Sequence, residues 1–196
     1  MNLPNKLTIF RMILVPIMVI IPFLGIKGEC LGIPIEYWMI DIIFIIASLT
    51  DKLDGYLARK NNQVTTFGKF LDPLADKILV IAAMIMLVET ARLPAWIPII
   101  VLTREFLVSG YRLLAVEKGG KVIAASKWGK LKTVTQMLAI ILAFIDVHSF
   151  GECFTGTLQG GLLVLNLIVT SMMILQTIAT IFSGIDYMRG AKELMK

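Results

Sequence analysis

Residues 51–76 read DKLDGYLARKNNQVTTFGKFLDPLAD, and the four carboxylates in this stretch decide how the whole chain is read. Asp51 and Asp54 are three apart, so they share a helix face. Gly55 and Ala58 stand four and seven residues after Asp51, on the same stripe. Asp72 and Asp76 are four apart on a second helix, with Gly68 one turn earlier on their face. One apolar run leads into Asp51 and another leaves Asp76. The short connection around Asn61 and Asn62 makes the two helices antiparallel neighbours. Both acidic faces then converge at one border of the apolar segments, where ionisable groups are costly and mark function.

The rest of the chain puts that border in a bilayer. Of 196 residues, 57% are hydrophobic and 17% charged, where a soluble domain has about 45–50% and about 25%. Mean hydropathy is +0.83. A transmembrane helix needs about 20 mainly apolar residues. Candidates lie at about 12–25, 36–59, 70–90, 94–117, 130–148 and 158–188, the last running on toward the cytoplasm. They predict an all-α integral membrane protein, one domain over 1–196, with six transmembrane helices. The more mixed segment Pro4–Arg11 reads as a short amphipathic helix in the interface. The first apolar run lacks a convincing small-residue cleavage site, so it reads as a retained helix.

Positive charge is distributed unevenly. Lys6 and Arg11 precede the first span, and Arg59, Lys60 and Lys69 lie between the second and third. Lys118, Lys121, Lys127, Lys130 and Lys132 lie between the fourth and fifth, and Arg189, Lys192 and Lys196 end the chain. The opposite loops hold chiefly Lys27 and Arg92. The positive-inside rule makes both termini, and the acidic border with them, cytoplasmic in a multi-pass protein of the cell membrane. The distribution of this charge, more than its net value of +5, thus sets topology, and a basic cytoplasmic face attracts anionic membrane lipid; nucleic acid is not an expected partner. Cys30 and Cys153 fall in the outer loops without a framework of spacings; they read as inert thiols, with a disulfide left open.

Four converging carboxylates repel and raise one another's pKa. A pair of divalent metals removes that difficulty, and hard oxygen-only ligands suit Mg²⁺ or Mn²⁺. Two such ions form a clamp for phosphoryl displacement. Small residues at 55, 58 and 68 let a flat base and a diphosphate approach the backbone, with Arg59 near a phosphate oxygen. The competing reading is four acids snorkelling at membrane borders, with Arg59 anchoring a helix end. Three small residues on the same faces speak against it.

The run fits D-x2-D-G-x2-A-R-x8-G-x3-D-x3-D position for position. It resembles the signature of the CDP-alcohol phosphatidyltransferases, membrane enzymes of phospholipid synthesis. The resemblance implies a six-helix fold, a homodimer and two metals held by Asp51, Asp54, Asp72 and Asp76, with Asp76 as the base. A CDP-lipid would lie against Asp54, Gly55, Ala58, Arg59 and Gly68, with Thr8 closing the site from the first helix.

Further likeness narrows the acceptor. Asn2–Arg11, Thr103–Phe106, Gly110–Arg112, Ala125–Thr133 and Gln136 are similar to bacterial members of the family that use glycerol 3-phosphate. The resemblance implies transfer of a phosphatidyl group from CDP-diacylglycerol to glycerol 3-phosphate, releasing CMP. Serine or an inositol phosphate stays open as the acceptor. An anionic acceptor suits the cations Arg104 and Arg112, eight apart on one helix face, and Lys127, Lys130 and Lys132 at the start of the fifth span. Arg11 joins this group from the first helix. Second readings stand beside these: Arg104 pairs with Glu105 or a metal-site aspartate, the lysines only set orientation, Thr8 caps a helix, and Arg11 snorkels. An intramembrane prenyltransferase would lack the Gly-x2-Ala-Arg run. A small transporter would favour repeats and midplane charge.

Overall fold

Apolar runs of about 20 residues, broken by glycine and polar clusters, become six helices. They are α1 (Leu3–Ile20), α2 (Ile35–Lys60), α3 (Thr66–Glu89), α4 (Trp96–Glu117), α5 (Lys127–Ile145) and α6 (Gly160–Leu194). The structure, a computed structural model, describes residues 2–60, 66–117 and 127–194. Within these, the side chains of 3–4, 52–60, 66–67, 69–70, 112–117, 127–128, 130 and 190–194 lie outside the description. Among the described residues, two helical stretches are long and apolar enough to cross a membrane, Asn5–Leu24 and Gly160–Arg189.

The surface is inverted relative to that of a soluble protein. Along α6, Leu162, Val164, Leu167, Ile168, Ile174, Leu175, Ile178 and Ile181 are exposed. Asn166, Thr170, Gln176, Thr177, Thr180 and Ser183 of the same helix are buried. In water this arrangement would forfeit the hydrophobic gain twice over, at about 25 cal/mol per Å² of apolar surface left wet. In lipid it is the stable one, because exposed apolar surface costs nothing there and polar groups need partners inside. The chain is membrane-associated.

Two expectations need correction. Residues 4–11 are not a separate interfacial helix but the first turns of the continuous helix α1. Their polar stripe of Asn5, Thr8 and Arg11 is buried in protein. The amphipathic pattern was real, but its polar face turns inward to carboxylates. The fold is also not purely helical. A small antiparallel hairpin, β1 (Glu29–Cys30) and β2 (Ile33–Pro34), lies between α1 and α2. Its turn needs positive φ at Leu31 and Gly32, and Trp38 Nε1 donates to the carbonyl of Cys30 at 3.0 Å.

The chain packs as two compact units. The first holds residues 1–90 with 140–147, the second 91–139 with 148–196. In the first unit α1 lies against both α2 and α3; in the second α4 lies against α6. Cys30 and Cys153 are free thiols.

Candidate active site

In the first unit α1 gathers the acidic helices. Thr8 and Arg11 are three apart, so their side chains project from one face, with Cβ atoms about 5–6 Å apart. Thr8 Oγ1 donates to Asp72 Oδ1 on α3, and Arg11 Nη1 donates to Asp51 Oδ1 on α2, each at 2.5 Å. Carboxylates that are 21 positions apart in sequence (51 and 72) thereby meet on one stripe of a third helix. The Arg11 side chain is 0% exposed and that of Asp51 31%. A buried guanidinium is tolerable only when paired, so the snorkelling and capping readings of Arg11 and Thr8 give way to contacts with the acidic cluster. Arg11, grouped from sequence with the acceptor cations, is held by Asp51. Asp72 and Asp76 are half-buried, and Gly68 is buried one turn before Asp72. Pro73 sits between the two aspartates inside α3, where its missing N–H frees a carbonyl one turn back.

Asp51 and Asp72 each use Oδ1 toward α1, and among the described residues no protein donor reaches either Oδ2. A carboxylate oriented through one oxygen and offering the other is how hard-metal ligands are presented. The donor chemistry therefore fits Mg²⁺ or Mn²⁺. Among the described residues no group of three His, Cys, Asp or Glu side chains is close enough to hold an ion. Asp54, the remaining aspartate of the motif, lies with Gly55, Ala58 and Arg59 where α2 is described by its backbone alone. The side chains of Arg112, Lys127 and Lys130 are likewise outside the described residues.

The second unit holds a cationic cluster. Arg104 Nη1 and Lys132 Nζ both donate to Glu105 Oε1, at 2.8 and 2.7 Å. Arg104 Nη2 donates to Ser183 Oγ on α6, and its guanidinium carbon lies 5.6 Å from the Tyr187 ring centre. That distance is within cation–π range. Gly184 lies alongside, where a Cβ would sit in ordinary van der Waals contact with Arg104 Cγ at 3.4 Å. Of the two alternatives for Arg104, pairing with Glu105 is the one seen. The sequence reading missed Ser183 and Tyr187. The signal was there: Thr177, Thr180, Ser183 and Tyr187 recur at helical spacing in an otherwise apolar segment, and all are buried.

Residues 1–182 match the family described as CDP-alcohol phosphatidyltransferase. A Bacillus subtilis protein named CDP-diacylglycerol–glycerol-3-phosphate 3-phosphatidyltransferase is 51% identical over 146 residues, 71% of this chain and 74% of its own length. A Haemophilus influenzae protein of the same name is 39% identical over 97% of this chain and 94% of its own. A Mycobacterium tuberculosis protein named probable phosphatidylglycerophosphate synthase is 38% identical over 97% of this chain and 81% of its own.

Proposed function

From the premise that the chain belongs to the CDP-alcohol phosphatidyltransferase family, we propose that it transfers the phosphatidyl group of CDP-diacylglycerol to glycerol 3-phosphate, forming phosphatidylglycerophosphate and CMP. The observation that carries this reading is end-to-end likeness to relatives named for that reaction. The cations of the second unit support an anionic acceptor, and the carboxylates of the first support a diphosphate donor held through metal.

The acceptor hydroxyl attacks the phosphorus that bears diacylglycerol. A P–O bond forms to the acceptor, the bridging P–O bond breaks, and CMP leaves with the electron pair. Asp76 takes the hydroxyl proton, help that typically contributes about 10²–10⁴-fold. Asp51, Asp54, Asp72 and Asp76 would hold two Mg²⁺ or Mn²⁺ ions, which would supply charge neutralisation of the diphosphate. Thr8 and Arg11 orient Asp72 and Asp51. Gly55, Ala58 and Gly68 give the cytidine and diphosphate close approach to the backbone, with Arg59 on a phosphate oxygen. Arg104, Arg112, Lys127 and Lys130 take the acceptor's phosphate. We place the protein in the cell membrane as a multi-pass homodimer of six-helix, single-domain chains, with termini and active site cytoplasmic.

The test offers the purified chain CDP-diacylglycerol with glycerol 3-phosphate, serine and inositol 1-phosphate separately. The expected result is phosphatidylglycerophosphate with equimolar CMP from the first alone. A lipid product made from serine or inositol 1-phosphate instead would overturn the acceptor assignment.

A further inference from the structure

Glu105 carries two cations on one oxygen, Arg104 from its own helix and Lys132 from α5. All three side chains are largely buried, at 12%, 15% and 9% exposure for Arg104, Glu105 and Lys132. Two cations this close repel each other. One carboxylate between them offsets that repulsion and fixes where each points. From the far side, Ser183 and the Tyr187 ring hold the guanidinium. Three helices of the second unit thus converge on the orientation of one arginine.

The cluster also has something left to give. Among the described residues, two cations against one carboxylate leave one positive charge. Arg104 Nε is buried and has no hydrogen-bond partner among the described residues. A buried donor left without an acceptor is costly, and a phosphate oxygen removes that cost. Arginine binds phosphate through paired N–H groups, so the free Nε is a donor the fork still offers.

We propose that Glu105 is a positioning residue for the acceptor: it holds Arg104 and Lys132 in the orientation that receives the acceptor's phosphate. The inference rests on the reading that the acceptor is anionic and meets these cations. Glu105 itself, being an anion, does not touch that phosphate; it acts through its two partners, with Ser183 as the matching support on α6.

The test is steady-state kinetics of the full chain in lipid nanodiscs, with both substrates varied. Glu105→Gln is expected to raise KM for glycerol 3-phosphate about tenfold or more, the scale of a charge-assisted hydrogen bond, while KM for CDP-diacylglycerol stays within about twofold. Glu105→Asp keeps the charge but retracts it by one methylene. It is expected to raise the same KM by about three- to tenfold, and it decides the matter should the glutamine variant fail to fold. Combining Glu105→Gln with Lys132→Met is expected to cost less than the two losses added, because both remove one contact. Arg104→Lys separates the two layers of argument. A rise in KM for glycerol 3-phosphate in Arg104→Lys, with no selective rise in either Glu105 variant, overturns the positioning role alone. No rise in Arg104→Lys overturns the acceptor reading and this inference with it.

Discussion

The two units solve opposite problems with charge. In the first, two aspartates from separate helices meet one guanidinium and one hydroxyl on α1. In the second, two cations from separate helices meet one carboxylate and one hydroxyl. The first arrangement retains negative charge and suits cations; the second retains positive charge and suits an anion. Neither is a stability device in the ordinary sense. Buried ion pairs rarely outperform apolar packing, and a membrane interior makes an imbalance costlier still. Charge imbalance kept at that cost, with opposite sign in the two units, is what the proposed function uses: carboxylates for a metal-held donor in one and cations for an anionic acceptor in the other.

The division breaks most sharply at Asp72. Asp72→Asn keeps the Thr8 contact within reach but removes a proposed metal ligand. Turnover is expected to fall by more than about a hundredfold, beyond the 10–100-fold typical of outer-shell changes. Full activity at ordinary Mg²⁺ would remove the acidic cluster from the mechanism. Next in size is a contrast between two arginines. Arg112→Lys keeps charge and loses the fork, so kcat/KM for glycerol 3-phosphate is expected to fall about 10–150-fold, with the CDP-lipid's KM nearly unchanged. Arg59→Lys is expected to do the reverse. Kinetics in which Arg112→Lys impairs the CDP-lipid and spares glycerol 3-phosphate would show the division between donor and acceptor to be drawn wrongly.

Thr8 sharpens the comparison further. Thr8→Val removes the hydroxyl that orients Asp72, and the Mg²⁺ concentration for half-maximal activation is expected to rise about tenfold. Thr8→Ser should restore it; equal loss in both variants would reduce Thr8 to a packing role. The smallest change is a labelling pattern. A membrane-impermeant thiol reagent is expected to reach exposed Cys30 in intact cells. Labelling only after lysis would contradict the orientation.

Much of this was legible before the fold. The aspartate motif singled out Asp51 and Asp72, and both are drawn to one stripe of α1. What could not be read was the direction of α1's polar stripe. Asn5, Thr8 and Arg11 alternate with apolar residues as an interfacial helix would; only packing against α2 and α3 turns that face inward. The hairpin after α1 escaped because its strands are two residues each, too short for any period to register. Ser183 and Tyr187 were hidden by the apolar average of α6. Their meaning depends on Arg104, 79 positions before Ser183.

In the proposed function, donor and acceptor are held by separate clusters of opposite charge. Calorimetric titration of glycerol 3-phosphate and of CDP into the protein in nanodiscs, with and without Mg²⁺, measures this directly. The account predicts that glycerol 3-phosphate binds without metal, weakly in Arg104→Lys and normally in Asp72→Asn, while CDP requires metal and is lost in Asp72→Asn. Glycerol 3-phosphate binding that needs Mg²⁺ and disappears in Asp72→Asn, yet survives in Arg104→Lys, would contradict it.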